Sequence, residues 1–330
     1  MKKILSLITA LVLLLGLMPA AVFADDAAEE LHYLALGDSI STGLQADGTH
    51  LSDECFVNIV AEAGGYTFTN AAINTNYATG ILAQFADGSV DEALAAADLI
   101  TITIGGNDVK LLLYHMIAEA YYNMTGISID PDLGVQEGMI GDDPTVRANL
   151  LLAAVSVLPG FSALEAFDVT LNAFVENFLL VLDHIHTVNS EAQIVVCTQY
   201  NPYYRFTQPM LLTLKNEFEA GILKLNQAIL ANAEAGGYLV ADVYSAFASS
   251  EENLSNADDT AMQLDFHPNA AGHAVIAECI KAVLEAASAE EAAAEETVVE
   301  ETVVEEAAVE ETAEEAPAEF KPAYSFTLVL

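Results

Sequence analysis

Short apolar runs rich in β-branched residues recur along this chain, and they constrain its fold more than any other feature. Leu31–Leu36 stops at Gly37, and Asp98–Ile104 stops at Gly105-Gly106. Gln193–Thr198 and Tyr238–Val243 are two more, and a fifth is expected near Thr67–Ala72. Each is the length of a strand, and longer stretches of helical periodicity separate them. Buried strands alternating with helices imply a parallel sheet covered on both faces. Open parallel sheets bind ligands beyond the carboxyl ends of their strands. The residues just after Leu36 and Ile104 are therefore the first place to look for a site.

The two ends differ from this body. Lys2 and Lys3 precede an apolar stretch from Ile4 to Phe23, and Val22 and Ala24 offer small residues for cleavage. Residues 1–24 are read as a signal peptide cleaved near Ala24, giving a secreted or extracytoplasmic protein. The competing reading is a retained anchor, which Pro19 disfavours. Residues 25–284 form one large domain, long enough to bury a core. Residues 285–330 are an acidic Glu/Ala/Val-rich tail with Glu pairs every five residues. A five-residue step drifts around a helix, so no apolar stripe forms and a coiled coil is excluded. The expectation is an extended, weakly helical spacer. Within the body, about 109–188 holds no strand pattern. Helical patterns over Leu111–Tyr122 and Ala148–Leu158 flank a loop from Thr125 to Pro144. Its Asp130, Asp132, Asp142 and Asp143 lack the spacing of a calcium loop and read as solvated carboxylates.

Charge and cysteines narrow the partners. The domain holds 35 of the 49 acidic residues and six of the nine basic ones. Such a surface repels nucleic acid and anionic membranes and favours neutral or cationic substrates; the alternative is that the charge serves only to keep an exported protein soluble. Three cysteines, Cys55, Cys197 and Cys279, are not a disulfide framework. Cys197 reads as a small buried apolar residue, and a Cys55–Cys279 bridge is left open. No Cys-x-x-Cys or His/Cys cluster suggests zinc, and neither metal nor cofactor is expected.

Gly37-Asp38-Ser39 directly follows the first run. Glycine permits a tight turn that exposes the serine hydroxyl, and a serine needs a base to become a nucleophile. Ser39 at this place also reads as the N-cap of a following helix. Of the seven histidines, His267 stands out. It lies in Asp265-Phe266-His267-Pro268-Asn269, a loop before the last helical segment, and a loop histidine can reach a strand end. Gly105-Gly106-Asn107-Asp108, read alone, is an ordinary strand-to-helix turn.

Taken together, LALGDSISTG (34–43), ITIGGND (102–108) and DFHPNAAGH (265–273) resemble the motif blocks of the SGNH, or GDSL, hydrolase family, in the family's order. The resemblance covers about 31–284. It implies a flavodoxin-like three-layer α/β/α sandwich, here with a helical insertion, and ester hydrolysis through an acyl-enzyme. It assigns Ser39 as nucleophile and His267 as general base. The oxyanion hole would comprise the Ser39 N–H, the Asn107 side-chain amide and a backbone N–H from the second block.

Two positions depart from the family. Asn70–Asn76 aligns with the second block, and Thr75 falls where the family has glycine. Its N–H can still donate, but a β-branched residue is strained if φ is positive there. The alternative is a turn residue with no catalytic role. The family acid stands three residues before the histidine, which here is Leu264. Asp265, two residues before His267, is taken as the acid. A backbone carbonyl orienting the ring is the alternative, and Asp258 and Asp259 lie farther away.

These readings converge on a secreted carboxylic ester hydrolase of the lipase or esterase type. Its substrates would be small-molecule, lipid or acylated-carbohydrate esters. A carbohydrate O-acetyl esterase of the same fold is the main alternative, and a non-catalytic surface-binding module the more distant one. The insertion is read either as a lid over an acyl pocket or as added thickness in one helical layer.

Overall fold

The computed structural model describes residues 30–131 and 143–311. The expected signal peptide, Asp132, Asp142 and the end of the tail lie outside the described residues. The chain divides into two units at Cys279/Ile280.

The first unit is built on one five-stranded sheet. Its strands are β1 (His32–Gly37), β2 (Thr67–Asn70), β3 (Leu99–Thr103), β4 (Gln193–Cys197) and β5 (Leu239–Ala241). All neighbours are parallel, in the order β2-β1-β3-β4-β5. This is the flavodoxin-like order, with the topological switch between β1 and β3. The apolar runs mark every strand to within a few residues. The difference lies at β2, whose four residues are all exposed rather than buried. It is an edge strand, so it has a neighbour on one side only.

The helices are α1 (Ser39–Thr42), α2 (Phe56–Gly64), α3 (Ala78–Asp87), α4 (Asp91–Ala96) and α5 (Gly106–Thr125). They continue with α6 (Pro144–Val157), α7 (Glu165–Val188), α8 (Leu212–Ala231), α9 (Ala233–Gly236), α10 (Val243–Ser249) and α11 (Ala270–Glu311). Side chains alternate across a strand. Leu34, Leu36, Ile100, Ile102, Ile194 and Val196 therefore share one face, and they pack with Ile81 of α3, Leu94 of α4, Phe174, Phe178 and Val181 of α7, and Leu225 and Ile229 of α8. Each such buried side chain contributes about 1.5–3 kcal/mol. Tyr33, Ala35, Thr101, Thr103, Val195 and Cys197 point the other way and are equally buried. The helices outside the first cluster carry buried Phe56 and Val60, Phe247 and Ile276, completing a three-layer α/β/α fold.

The insertion has its own small core. Val109, Leu113, Ile117 and Tyr121 of α5 pack against Ala153 of α6, Phe161 in the following 3-10 turn, and Phe167 of α7. Through Phe174, Phe178 and Val181, α7 also packs on the sheet, so this part of the insertion thickens one helical layer. Asp143 is exposed, in keeping with a solvated carboxylate, and it also caps α6 at the Thr145 N–H, 2.8 Å away.

All three cysteines are free, with Cys55 and Cys197 buried, which closes the possibility of a Cys55–Cys279 bridge. Cys55 Sγ contacts the Ser41 carbonyl and Cys279 Sγ the Asp242 carbonyl instead. The second unit also differs from expectation, since α11 is helical as far as Glu311. Ala and Glu are strong helix formers, and this local propensity prevails although the five-residue repeat builds no apolar face.

Candidate active site

Gly37 ends β1 with φ +131°, and a Cβ there would stand 2.3 Å from the Thr103 carbonyl oxygen of β3. Only glycine fits. The chain then turns, the Asp38 N–H donating to that same carbonyl at 3.1 Å. Asp38, not Ser39, is the N-cap of α1: its Oδ1 accepts from the Ile40 N–H at 3.0 Å and the Thr103 hydroxyl at 3.1 Å. Burial raises the pKa of Asp38. Ser39 is the first helical residue, so its N–H has no acceptor within the helix and its hydroxyl is free of capping.

That hydroxyl meets His267. Nε2 of His267 lies 2.9 Å from Ser39 Oγ, and Nδ1 lies 2.6 Å from Asp265 Oδ1. Ser39 is 4 % exposed and His267 7 %. The two-residue spacing thus lets Asp265 reach the ring, and Asp258 and Asp259 are engaged elsewhere. Asp258 accepts from Thr260 and Asp259 from Thr207 and Gln208. The loop carrying His267 is tied at several points. Tyr200 and Tyr203, just beyond β4, donate their hydroxyls to the Phe266 and Leu264 carbonyls at 2.7 and 2.9 Å. The Asn256 N–H donates to the His267 carbonyl at 2.9 Å. These tyrosines were not singled out in the sequence. Their only signal is the aromatic run Tyr200–Tyr204 at the carboxyl end of a strand.

Asn107 is the second residue of α5, 4 % exposed, and its Nδ2 donates to the Asn76 carbonyl at 3.1 Å. The amide carries two hydrogens, so one remains for another acceptor. Thr75 precedes Asn76 and has φ +63°, the left-handed region. The Ile73 N–H holds this turn to the Gly37 carbonyl, and the Asn76 N–H closes it onto the Ile73 carbonyl, both at 3.1 Å. The Thr75 N–H is not used within the turn. Next to Asn107, Asp108 Oδ1 accepts from the Ala78 N–H at 3.2 Å, and burial pushes its pKa up to about 6. Asn107 and Asp108 together fasten the Asn76–Ala78 segment to the start of α5.

An open cleft is lined in part by Ser39 and Asn107. Beyond them its walls are mainly apolar: Leu113, Phe161, Phe167, Phe218, Ile222 and Leu225. Phe161 and Phe167 come from the insertion, which therefore supplies part of the wall. Glu217 fixes that wall, its carboxylate accepting from the Gly160 N–H at 2.7 Å and the Ser162 N–H at 3.2 Å. Among the described residues no group of three His, Cys, Asp or Glu could hold a metal ion, and no helix is long and apolar enough to cross a membrane.

Comparison with known proteins agrees with this architecture. The extracellular lipase of Streptomyces rimosus superposes with a TM-score of 0.51 at 18% identity, over 77% of this chain and 99% of that one. Phospholipase A1 of Streptomyces albidoflavus NA297 gives 0.51 at 17% identity, over 77% and 99%. A Bacillus subtilis (strain 168) protein named uncharacterized protein YpmR is 22% identical over 291 residues, 84% of this chain and 93% of its own length. The GDSL-like lipase/acylhydrolase profile matches residues 35–275. A match across that much of the sequence means that the chain belongs to the GDSL-like lipase/acylhydrolase family.

Proposed function

We propose that the protein is an exported serine hydrolase that cleaves carboxylic esters through an acyl-enzyme. The observation that carries this reading is the unbroken relay Asp265–His267–Ser39, at 2.6 and 2.9 Å, at one end of an apolar cleft. Ser39 Oγ attacks the ester carbonyl as His267 Nε2 takes its proton. Asp265 accepts from Nδ1–H and stabilises the imidazolium without taking the proton. The oxyanion is received by the N–H groups of Ser39 and Thr75 and by Asn107 Nδ2. His267 then protonates the departing alcohol, and water, activated by the same ring, releases the acid and frees Ser39.

The apolar wall favours an acyl chain over a lone acetyl group, and so a lipase- or esterase-type substrate over an O-acetylated sugar. Burying one methylene is worth about 0.8 kcal/mol, so kcat/KM should rise about fourfold per added methylene until the cleft is filled. The purified protein should hydrolyse short-chain nitrophenyl esters, and Ser39→Ala should abolish that activity. A Ser39→Ala variant at wild-type rate would overturn the mechanism. Export is tested separately: the protein recovered from culture medium should begin at Asp25.

A further inference from the structure

Lys110 is the one basic residue among those lining the cleft. It follows Asn107 by three positions on α5, so both side chains leave the same helical face. Its Nζ lies 4.0 Å from the centre of the Phe266 ring and 5.5 Å from that of Tyr114. Phe266 in turn packs on the His267 ring, their centres 4.5 Å apart. The ammonium thus lines the same cleft as Ser39 and Asn107, one ring removed from His267. Among the described residues it has no hydrogen-bond acceptor and no carboxylate within ion-pair distance. Two other cations differ in this respect: Lys224 pairs with Asp168 at 2.7 Å, and Lys215 donates to the Phe206 carbonyl at 3.2 Å.

The two carboxylates whose charge acts on Lys110 each already hold another partner. Asp38 Oδ1 accepts from Ile40 and Thr103, and Asp265 Oδ1 meets His267. Both act on Lys110 through space only. Burial outweighs them and pulls the pKa of Lys110 down to about 8, so it is still mostly protonated at neutral pH. A desolvated cation held by aromatic faces alone gains most from an anion that enters the cleft.

Building on the ester-hydrolase reading, we propose that Lys110 is an anion subsite, selecting esters that carry a carboxylate or phosphate close to the scissile carbonyl. The acidic surface argues against anionic substrates at long range, but that repulsion is common to wild type and variants. The subsite acts locally, after entry.

The test uses three water-soluble esters with one medium-length acyl chain: the monoacylglycerol, the matching acylglycerate and the monoacylglycerol phosphate. Acid release gives kcat/KM for wild type, Lys110→Met and Lys110→Arg. Lys110→Met should lower the anionic-to-neutral ratio about ten- to a hundredfold, the worth of one hydrogen bond to a charged group. Lys110→Arg should keep most of the ratio. Preference for the glycerate alone or the phosphate alone identifies the anion. Equal losses on all three esters would mean that Lys110 only offsets Asp38 and Asp265, and would overturn the proposal. So would an anionic-to-neutral ratio that Lys110→Met leaves within about threefold of wild type. A Ser39→Ala variant that still cleaves the neutral ester would instead sink the serine mechanism, leaving the ratio test separate.

Discussion

Thr75 gives the sharpest consequence of the backbone geometry. At φ +63° it occupies a region that costs a residue with a Cβ roughly 1–2 kcal/mol, and β-branching adds to this. Its hydroxyl makes no hydrogen bond among the described residues, so its removal forfeits none. Thr75→Gly relieves the strain but enlarges the freedom of the unfolded chain, at a cost of about 0.5–1 kcal/mol. The net gain is about 0.5–1 kcal/mol. A domain of this size shifts about 2–4 °C per kcal/mol, so Tm should rise by about 1–4 °C. The N–H survives the change, so kcat/KM on a nitrophenyl ester should stay within about threefold of wild type. Calorimetry and initial rates measure both. A Tm lowered by more than about 2 °C would contradict the strain. A tenfold loss of activity in a well-folded variant would mean that the side chain, not the N–H, serves the site.

Other expectations follow from the same distances. Asn107→Ala should lower kcat by about two to three decades with little change in KM, because it removes a donor aimed at the transition state; a loss below threefold would remove Asn107 from the oxyanion hole. Asp265→Asn should cost roughly three to four decades, by offering Nδ1 the wrong partner; a loss under tenfold would mean that backbone contacts alone orient the ring. His273, fully buried and stacked on Phe56, has its pKa pulled down to about 4 by burial. The unfolded chain takes up a proton near pH 6.5 that the folded one refuses until about pH 4, so stability falls as pH drops through this window. The full effect is about 3 kcal/mol. Asp108 works in the opposite sense between about pH 4 and 6, so the comparison is between wild type and His273→Gln, whose Tm should fall less steeply from pH 6.5 to 4. Parallel Tm curves would contradict the assignment to His273.

The sequence made the sheet legible because a central parallel strand is buried on both faces and so reads as an unbroken apolar run. It made Ser39, Asn107 and His267 legible because each sits in a contiguous block at a strand end or beside the last helix. What it concealed is non-local. Tyr200 and Tyr203 reach carbonyls more than sixty positions away, and no local pattern announces such a bond. Lys110 follows Asn107 by nearly one helical turn, a spacing that places it on the same face, but the acidic balance of the chain masks a single cation. Capping by Asp38 rather than Ser39 depended on a side-chain rotamer, which the order of residues does not dictate. The exposure of β2 follows from its place at the sheet edge, and strand order is a property of the whole fold.

The central claim is that Ser39 forms a covalent bond in the reaction, and trapping tests it most directly. A fluorophosphonate that mimics the tetrahedral intermediate should inactivate the enzyme with one equivalent bound. Peptide mass spectrometry should then place the added mass on Ser39, and His267→Ala should slow the labelling by several decades. Inactivation with the adduct on another residue, or none on Ser39 in an enzyme that turns over esters, would contradict the account.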